Sequence, residues 1–348
     1  MKKQHIVTLL LACIYSIGAW AGFTKEKKIS DRFTTDSYSR LHITNQYGKV
    51  HINTWDKNEV TVNIVVTATA ANEEKAQSMV NDVNIIQQKA DNRFSYYTSV
   101  KRKKIVINKD NELKIDYTVN MPASLYLEVQ NKFGDVFIDD FAGQLSVGVE
   151  YGAIKTQKLT GSNVNLQVEF GSLSVESVET ASITSRYSKL NIDKGNKLAV
   201  SSRFGKTNIS NTKRLVLSQD YGDAVLSNIE VLKGDISYSG FTIDRIGTEA
   251  ALNMQYCSRC NLGVVSGKTE KLSVHAKFSK LVCSIDNSAD MTVVIATRFG
   301  NVNKGGGSLS LQQANIELDR YSSSYRGTIG SGAGKMSMSL EYTDVNFK

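Results

Sequence analysis

The sequence predicts an all-β protein: a single-stranded, right-handed β-solenoid (β-helix) of about twelve coils, preceded by a β-rich cap that contains one short helix. Two observations favour this class. An aromatic residue followed by a small residue returns at nearly fixed intervals, and apolar residues alternate with polar ones around each such pair. Self-similarity with a period of roughly 20 residues is typical of solenoid proteins. The chain has 348 residues, 41% of them hydrophobic, which is enough to bury a sizeable core.

The pairs of an aromatic and a small residue define the repeats that we predict over residues 122–348. Before each aromatic, apolar residues occupy alternate positions, as Leu198 and Val200 do before Phe204. This period of two indicates a strand with one buried face, and the aromatic shares the parity of that face. We therefore expect the rings to point inward and to stack as a structural ladder inside one corner. The repeats are anchored, at intervals of 17 to 22 residues, by Phe133, Tyr151, Phe170, Tyr187, Phe204, Tyr221, Tyr238, Tyr256, Phe278, Phe299, Tyr321 and Tyr342.

After each aromatic the parity changes, which indicates a corner. The next apolar residues fall three and five positions later, as Leu190 and Ile192 do after Tyr187. One extra residue has therefore been inserted, and the glycine or serine that follows the ring is expected to adopt the positive φ of the bend. On this interpretation Phe204→Ala would cost ~3–5 kcal/mol. An antiparallel sandwich or barrel is disfavoured because the same two-strand module recurs with the same corner residues.

Residues 22–121 differ from the repeats, and we interpret them as a cap on the first coil. Alternation predicts strands over 41–52, 60–67, 84–98, 104–108 and 112–121. Asn72 is a helix N-cap candidate for the segment that ends at Val83, whose apolar stripe is Ala76, Met79, Val80 and Val83. An isolated earlier copy of the repeat signature is Tyr47-Gly48. No comparable cap follows Tyr342, so we expect an exposed final coil through which the protein could oligomerise.

The first 21 residues have the organisation of a secretory signal peptide. Two lysines precede an apolar run over residues 6–17, and residues 19–21 supply a small-x-small cleavage site. The segment is too short for a membrane anchor, so we expect export to the periplasm, the outer-membrane surface or the medium, with no transmembrane segment after cleavage. A second interpretation takes Cys13 as the acylated first residue of a lipoprotein, although few apolar residues precede it.

Charge and composition exclude further classes. Removal of the signal takes away two lysines and no acid, which lowers the formal net charge from +8 to +6. The charges are interspersed and no recognition motif is present, so no nucleic acid is expected as a partner. The basic run over residues 101–104 is interpreted as a solvated hairpin turn, with an anionic glycan or phospholipid contact as the alternative. A single proline argues against a Pro-rich linker protein.

The segment from Tyr117 to Gly143, YTVNMPASLYLEVQNKFGDVFIDDFAG, resembles the putative-adhesin family of exported bacterial β-solenoid proteins of unknown function, which are common among Bacteroidetes. The resemblance implies this fold and an envelope location, and it brings no catalytic residues. An echo of the motif is present at Asn45, Tyr47 and Gly48. The matching residues in the segment are Val119, Pro122, Leu125, Leu127, Val129, Asn131, Phe133, Gly134, Asp135 and Val136.

Motifs for chemistry are scarce. The sequence contains no nucleophile elbow, phosphate-binding loop, dinucleotide fingerprint or HExxH zinc motif, so we expect no catalytic residues, cofactor or metal. Cys257, Cys260 and Cys283 with His275 could be written as a zinc site, but His275 has the outward parity whereas Cys283 has the inward one. A disulfide between Cys260 and Cys283, a pair of Cys257 with Cys260, and buried free thiols remain open.

The position before each aromatic faces outward and is usually charged. Stacked coils would place these residues in a column, where Glu169 with Arg186 and Arg203 with Asp220 could pair. In the later repeats we expect three like charges to follow one another and to form a candidate contact for a sulfated or uronic glycan; the alternative is a solvated face relieved by Glu341. These three candidate residues are Lys277, Arg298 and Arg320.

These observations lead us to expect an exported, envelope-associated or cell-surface protein that acts as a non-enzymatic, adhesin-like interaction scaffold. Its partner would be an envelope or extracellular protein or a glycan. The alternatives are a carbohydrate-binding or polysaccharide-cleaving β-helix and a periplasmic partner in envelope sensing. A cleaving enzyme would need clustered carboxylates or a Ca²⁺ site. The acids that could serve are mostly isolated: Asp135, Asp139, Asp140, Glu150, Glu169 and Asp220.

Overall fold

The computed structural model describes residues 22–101, 111–305, 309–314 and 321–348. The predicted signal peptide with Cys13, most of the basic run, the strand expected over 104–108 and Arg320 lie outside the described residues. Within the described part of the chain, one helix accompanies 26 strands that belong to one sheet, which is not closed. The all-β class is therefore confirmed.

The N-terminal region contains seven strands and the helix. The helix α1 is Glu73–Asn81, and its cap is the predicted one: the Asn72 side chain accepts a hydrogen bond from the Lys75 amide at 2.8 Å. Its apolar stripe is buried against the sheet, as expected from the spacing. The strands are β1 Phe23–Thr34, β2 Arg40–Gln46, β3 Val50–Trp55, β4 Glu59–Ala70, β5 Val83–Ala90, β6 Arg93–Val100 and β7 Glu112–Pro122.

The central region consists of strands that pair in parallel with the equivalent strand of the next repeat. They are β8 Tyr126–Lys132, β9 Val136–Ile138, β10 Leu145–Glu150, β11 Ala153–Leu159, β12 Val164–Glu169, β13 Ser172–Arg186, β14 Lys189–Arg203, β15 Lys206–Asp220, β16 Asp223–Ser237, β17 Gly240–Gln255, β18 Cys260–Val265, β19 Lys271–Lys277 and β20 Lys280–Ile285. From β13 to β16 the register offset is 17 residues, so that Leu198 lies beside Leu215. Equivalent apolar residues thus stack into one continuous core.

The stack begins earlier than the predicted boundary of the repeats. Strand β2 pairs in parallel with β8, and β3 pairs in parallel with β9, so the Tyr47 unit is the direct neighbour of the Phe133 unit. Beyond it, β4 runs antiparallel to β7 and β5 runs antiparallel to β6. The helix packs on β1 and β4. This change of direction ends the run of parallel pairing at the N-terminal side.

The C-terminal strands do not stack in chain order. They are β21 Met291–Arg298, β22 Val302–Asn303, β23 Ser310–Ala314, β24 Ser322–Ile329, β25 Gly334–Glu341 and β26 Asp344–Phe347. Strand β25 lies between β19 and β21 and pairs in parallel with both, while β26 lies between β20 and β22. The far edge of β21 pairs with β24, which is antiparallel and pairs in turn with β23. The expectation of an exposed coil after Tyr342 is therefore wrong, because that unit is internal and an antiparallel hairpin follows β21.

Candidate interaction surface

The corner of each repeat is made by the aromatic residue itself. Twelve of the aromatic anchors in the described residues have φ between 48° and 63°, among them Phe204 at 55°. A left-handed residue breaks the alternation of a strand, so the side chain leaves the buried face and turns outward. The expectation that the rings point inward is therefore wrong. The parity argument failed because it assumed extended backbone at the anchor.

The rings form one stacked file, which we call the aromatic strip. Neighbouring ring centroids are 4.7–5.4 Å apart, and the planes lie within 13° of each other except at the last pair, where the angle is 27°. The predicted ladder is thus present on the outside of the protein. Its rings, in spatial order, are Tyr47, Phe133, Tyr151, Phe170, Tyr187, Phe204, Tyr221, Tyr238, Tyr256, Phe278, Tyr342, Phe299 and Tyr321.

The aromatic strip is accessible to a partner along its length. Apart from Tyr47, which is half-buried, its residues are between 37% exposed, at Phe299, and 55% exposed, at Tyr321. Each inner ring has a neighbour on both faces, so the ring edges are what a partner would meet. The inner rings therefore offer no free face on which a sugar ring could stack.

The glycine after the aromatic was expected to adopt a positive φ, but the structure shows another reason for its small size. The glycines at the corners do not have positive φ. A Cβ atom on Gly134 would lie 1.9 Å from the carbonyl oxygen of Gly48 in the adjacent unit. The residue is small because the backbones of neighbouring corners approach closely.

Polar side chains on both sides of the ring fix the corner. Two residues before the ring, the Asn131 amide donates to the carbonyl of Gly48 at 2.9 Å. Two residues after the ring, the Asp135 carboxylate accepts from the amide of Ala153 at 2.8 Å. The Asn-x-aromatic-Gly-Asp signature therefore describes hydrogen bonds between stacked units. The sequence shows this signature but does not reveal these acceptors and donors.

The outward residues before the rings form a second file, which we call the charge column. The amino group of Lys132 is 2.9 Å from the Glu150 carboxylate and 5.3 Å from the centre of the Phe133 ring. Its hydrogen bond to Glu150 raises the pKa of Lys132. The members, in spatial order, are Gln46, Lys132, Glu150, Glu169, Arg186, Arg203, Asp220, Ser237, Gln255, Lys277, Glu341 and Arg298.

One of the two predicted ion pairs is present. Arg203 lies 3.0 Å from Asp220, which confirms that pair. Glu169 and Arg186 are neighbours in register, but among the described residues they are not joined by an ion pair within 4 Å.

The predicted succession of like charges is wrong. Strand β25 places Glu341 between Lys277 and Arg298, and the Lys277 amino group is 2.9 Å from the Glu341 carboxylate. The hydrogen bond from Lys277 holds the pKa of Glu341 below its ordinary value. Sequence intervals cannot reveal this insertion, since they give no spatial order. The third residue, Arg320, lies outside the described residues.

The three described cysteines are free and buried, which agrees with the buried-thiol interpretation. Burial raises the pKa of Cys283 to about 12. A hydrogen bond from Cys260 lowers the pKa of Cys257. His275 is exposed, as its parity predicts. Within the described ranges, no three His, Cys, Asp or Glu residues are grouped as a metal site would require.

Comparisons with known proteins give similarity to solved structures only. No family model and no curated protein matches the chain. A putative adhesin from Parabacteroides merdae is 10% identical over 92% of this chain and 96% of its own, with a TM-score of 0.31. One from Parabacteroides distasonis is 13% identical over 92% and 97%, with a TM-score of 0.28. A putative cell adhesion protein from Clostridium sporogenes is 10% identical over 93% and 99%, with a TM-score of 0.23. At these TM-scores neither fold nor function is transferred to this chain.

The length of the helix decides whether it could cross a membrane. Nine residues form the helix α1, and nowhere in the described ranges is there a helix of sufficient length and apolarity to span a bilayer.

Proposed function

We propose that this protein is an exported, envelope-associated interaction protein with an adhesin-like, non-enzymatic role, and that the aromatic strip is its binding surface. The observation that supports this proposal is the continuous exposure of stacked rings from Phe133 to Tyr321. Large contiguous apolar patches are rare on monomeric soluble proteins, and they mark interaction sites. Export rests on the signal peptide that residues 1–21 predict.

The proposal includes a right-handed, single-stranded β-solenoid of about twelve coils. The constant offset of 17 residues between paired strands from β13 to β16 supports continuous winding. Right-handedness follows the general rule for parallel crossover connections. Twelve steps between the thirteen rings, at ~4.8 Å each, make the aromatic strip roughly 58 Å long. A surface of this shape suits an extended partner or a second elongated molecule.

Binding is favoured over polysaccharide cleavage by the contacts of the acids. The Asp135 carboxylate accepts from the Ala153 amide, and the Asp140 carboxylate accepts from the Lys158 amide at 3.1 Å. These carboxylates thus hold adjacent units together. A general acid or base must instead face a substrate. Incubation with polyuronides, with and without Ca²⁺, tests the alternative, and release of unsaturated oligosaccharides would contradict a non-enzymatic role.

A binding array of glycans and extracellular matrix proteins tests the proposed surface. The test variant carries Tyr151→Asn, Tyr187→Asn and Tyr221→Asn, because asparagine tolerates positive φ better than other polar residues. A matched control removes exposed hydrophobic residues outside the aromatic strip, with Tyr38→Ser, Ile86→Ser and Val216→Ser. We expect the first variant to lose at least about tenfold in affinity for whatever the natural protein binds. Equal binding by both variants would contradict the assignment.

A further inference from the structure

We propose that the aromatic strip binds the same surface of a second copy of this chain, with the two strips antiparallel. This inference rests on the proposed function and names the partner of that surface. It makes the adhesion homophilic. Three features support it: the order of charges in the charge column, the shape of the surface beside that column, and the charges on the other side of the rings.

The charge column is self-complementary when it is reversed. Six consecutive units carry the signs plus, minus, minus, plus, plus, minus, and the neutral residues Gln46 and Ser237 flank them. In an antiparallel dimer centred between Glu169 and Arg186, every charge meets one of opposite sign. The three facing pairs, each formed twice, are Lys132 with Asp220, Glu150 with Arg203, and Glu169 with Arg186.

The two central residues are suited to bonding between molecules. Glu169 and Arg186 lie next to the two-fold axis, and within the described residues neither forms an ion pair inside its own chain. In the dimer, Glu169 of each copy would face Arg186 of the other copy. A charge pair that is satisfied only in the dimer contributes to association and to the choice of partner.

Two shallow hollows beside the charge column also correspond. One, of about 250 Å³, is lined by Lys132, Glu150 and Glu169, with the long side chains of Gln130 and Gln167 and with Thr44. The other, of about 390 Å³, is lined by Arg186, Arg203, Asp220 and Asp235, with the short side chains of Thr184, Ser201 and Ser218. The antiparallel arrangement places the first hollow of one copy over the second hollow of the other. The two glutamates then face the two arginines, Lys132 faces Asp220, Asp235 faces the uncharged Thr44, and the longer side chains of Gln130 and Gln167 face the shorter ones of Ser218 and Thr184.

The residues two positions after the rings disfavour the parallel arrangement. A two-fold axis along the strip would put the charge column opposite these residues. Among the six units, three pairs would then be of like charge, namely Arg186 with Lys189, Arg203 with Lys206 and Asp220 with Asp223, whereas only Lys132 with Asp135 would be of opposite charge. Like charges that face each other in an interface suppress the wrong arrangement.

The antiparallel arrangement has one unfavourable pair on that side, Asp135 opposite Asp223. Both carboxylates already have partners within the chain. Asp135 accepts from the Ala153 amide at 2.8 Å, and Asp223 lies 3.8 Å from the Arg259 guanidinium. These contacts reduce the repulsion between the two acids. The lysines Lys189 and Lys206 would face the uncharged residues Ser172 and Ala153.

The size of the contact indicates a weak, reversible dimer. Eight units at ~4.8 Å extend over about 34 Å, and a strip about 15 Å wide would bury roughly 1,000 Å² in total. This is at the lower end of the range for specific interfaces. Weak contacts that are multiplied between two surfaces can still hold them together.

A charge exchange tests the inference by sedimentation velocity on the purified protein, from about 1 µM to about 1 mM. One variant carries Arg186→Glu and Arg203→Glu, and a second carries Glu150→Lys and Glu169→Lys. We expect the natural protein to dimerise, with weaker association at high salt. Each variant alone should lose at least about tenfold in self-association. An equimolar mixture should form a heterodimer, because the four central residues of the charge column are then all acidic in one variant and all basic in the other.

The variant that carries all four substitutions should dimerise again. Each of its four central charges has the opposite sign from the natural protein, so every facing pair in the antiparallel dimer is still of opposite charge. Recovery in the mixture also shows that each variant is folded. A natural protein that stays monomeric, or variants that do not recover when mixed, would overturn the inference. If that happens while the Tyr→Asn variant still loses array binding, the proposed function stands and only the second copy as partner is wrong.

Discussion

At the scale of the residue, ring stacking stabilises each corner and backbone strain destabilises it. A left-handed conformation costs a residue that has a β-carbon roughly 1–2 kcal/mol. Each stacked aromatic pair contributes about 0.5–1.5 kcal/mol beyond burial, and an inner ring such as Phe204 has two such neighbours. The stack therefore offsets the strain, which explains why large aromatic residues occupy positions where glycine would fit more easily.

This balance predicts the order of two substitutions at one position. Phe204→Ala keeps the strain and loses the stacking, and because the residue is 41% exposed the cost should be about 1–2 kcal/mol, below the ~3–5 kcal/mol expected for a buried ring. Phe204→Gly also loses the stacking but removes the strain. We expect the glycine variant to be the more stable by about 1 kcal/mol in urea unfolding. A more stable alanine variant would show that Phe204 is not left-handed.

The buried thiols give a second prediction at this scale. Cys283 is fully buried, and its raised pKa of about 12 keeps it protonated at neutral pH. Because the thiolate is the reactive form, iodoacetamide at pH 8 should not alkylate Cys283 in the folded protein but should do so in denaturant. Peptide mass mapping reads out both conditions. Rapid alkylation of the folded protein would contradict the burial of this residue.

The sequence predicts the spacing of the rings but not their direction. Alternation identifies Leu198 and Val200 as buried, and both are. The alternation rule fails at Phe204, because it assumes extended backbone and the left-handed backbone of Phe204 turns the side chain to the opposite face. The polar contacts of Asn131 and Asp135 were also hidden from the sequence, since their partners lie in other units.

At the scale of the element, the place of the C-terminal strand β25 in the sheet is a feature that the sequence did not predict. Local patterns predicted the helix and its Asn72 cap, but they missed β1, and the segment 84–98 that they predicted as one strand is the antiparallel pair β5 and β6. Strand order depends on pairing between segments that lie far apart in the chain, such as Lys277 with Glu341. The intervals of the repeat are the same whether the final unit stacks after the preceding one or is inserted between two earlier units, as β25 is between β19 and β21.

Hydrogen exchange distinguishes these two positions for the last unit. Strand β25 is paired on both sides, whereas β23 is paired in the described residues with β24 alone. We expect the amides of β25 to exchange slowly, at rates like those of β19, while those of β23 exchange much faster. Mass spectrometry of peptic fragments measures both. Fast exchange throughout Gly334–Glu341 would contradict the inserted position.

The ion pair of the inserted strand gives a pH prediction. The hydrogen bond and the charge of Lys277 hold the folded-state pKa of Glu341 below its ordinary value. A lowered pKa stabilises the folded state above the unfolded pKa, and this stabilisation is lost as the pH falls through the folded pKa. Carboxyl NMR should therefore show that the pKa of Glu341 lies below the ordinary value of a glutamate, and Lys277→Met should move this pKa upward. An unchanged pKa in that variant would contradict the pair.

At the scale of the whole molecule, one file of rings connects units from both ends of the chain. Tyr47 stacks on Phe133 near one end, and Phe299 stacks on Tyr321 near the other. The rows of charge run beside this file, so the surface has a fixed order of signs along its length. Composition and net charge cannot reveal that order, because it depends on which unit lies beside which.

Cysteine pairs in place of the rings test this order most directly. Phe278 donates its amide to Glu341, and Tyr342 donates its amide to Arg298, so Tyr342 separates Phe278 from Phe299. Adjacent units are ~4.8 Å apart, within reach of a disulfide, and units two steps apart are not. On mild oxidation of the folded protein, Phe278→Cys with Tyr342→Cys should form an intramolecular bridge, and Phe278→Cys with Phe299→Cys should not. The opposite result would contradict the single exposed file of rings on which the proposed binding surface depends.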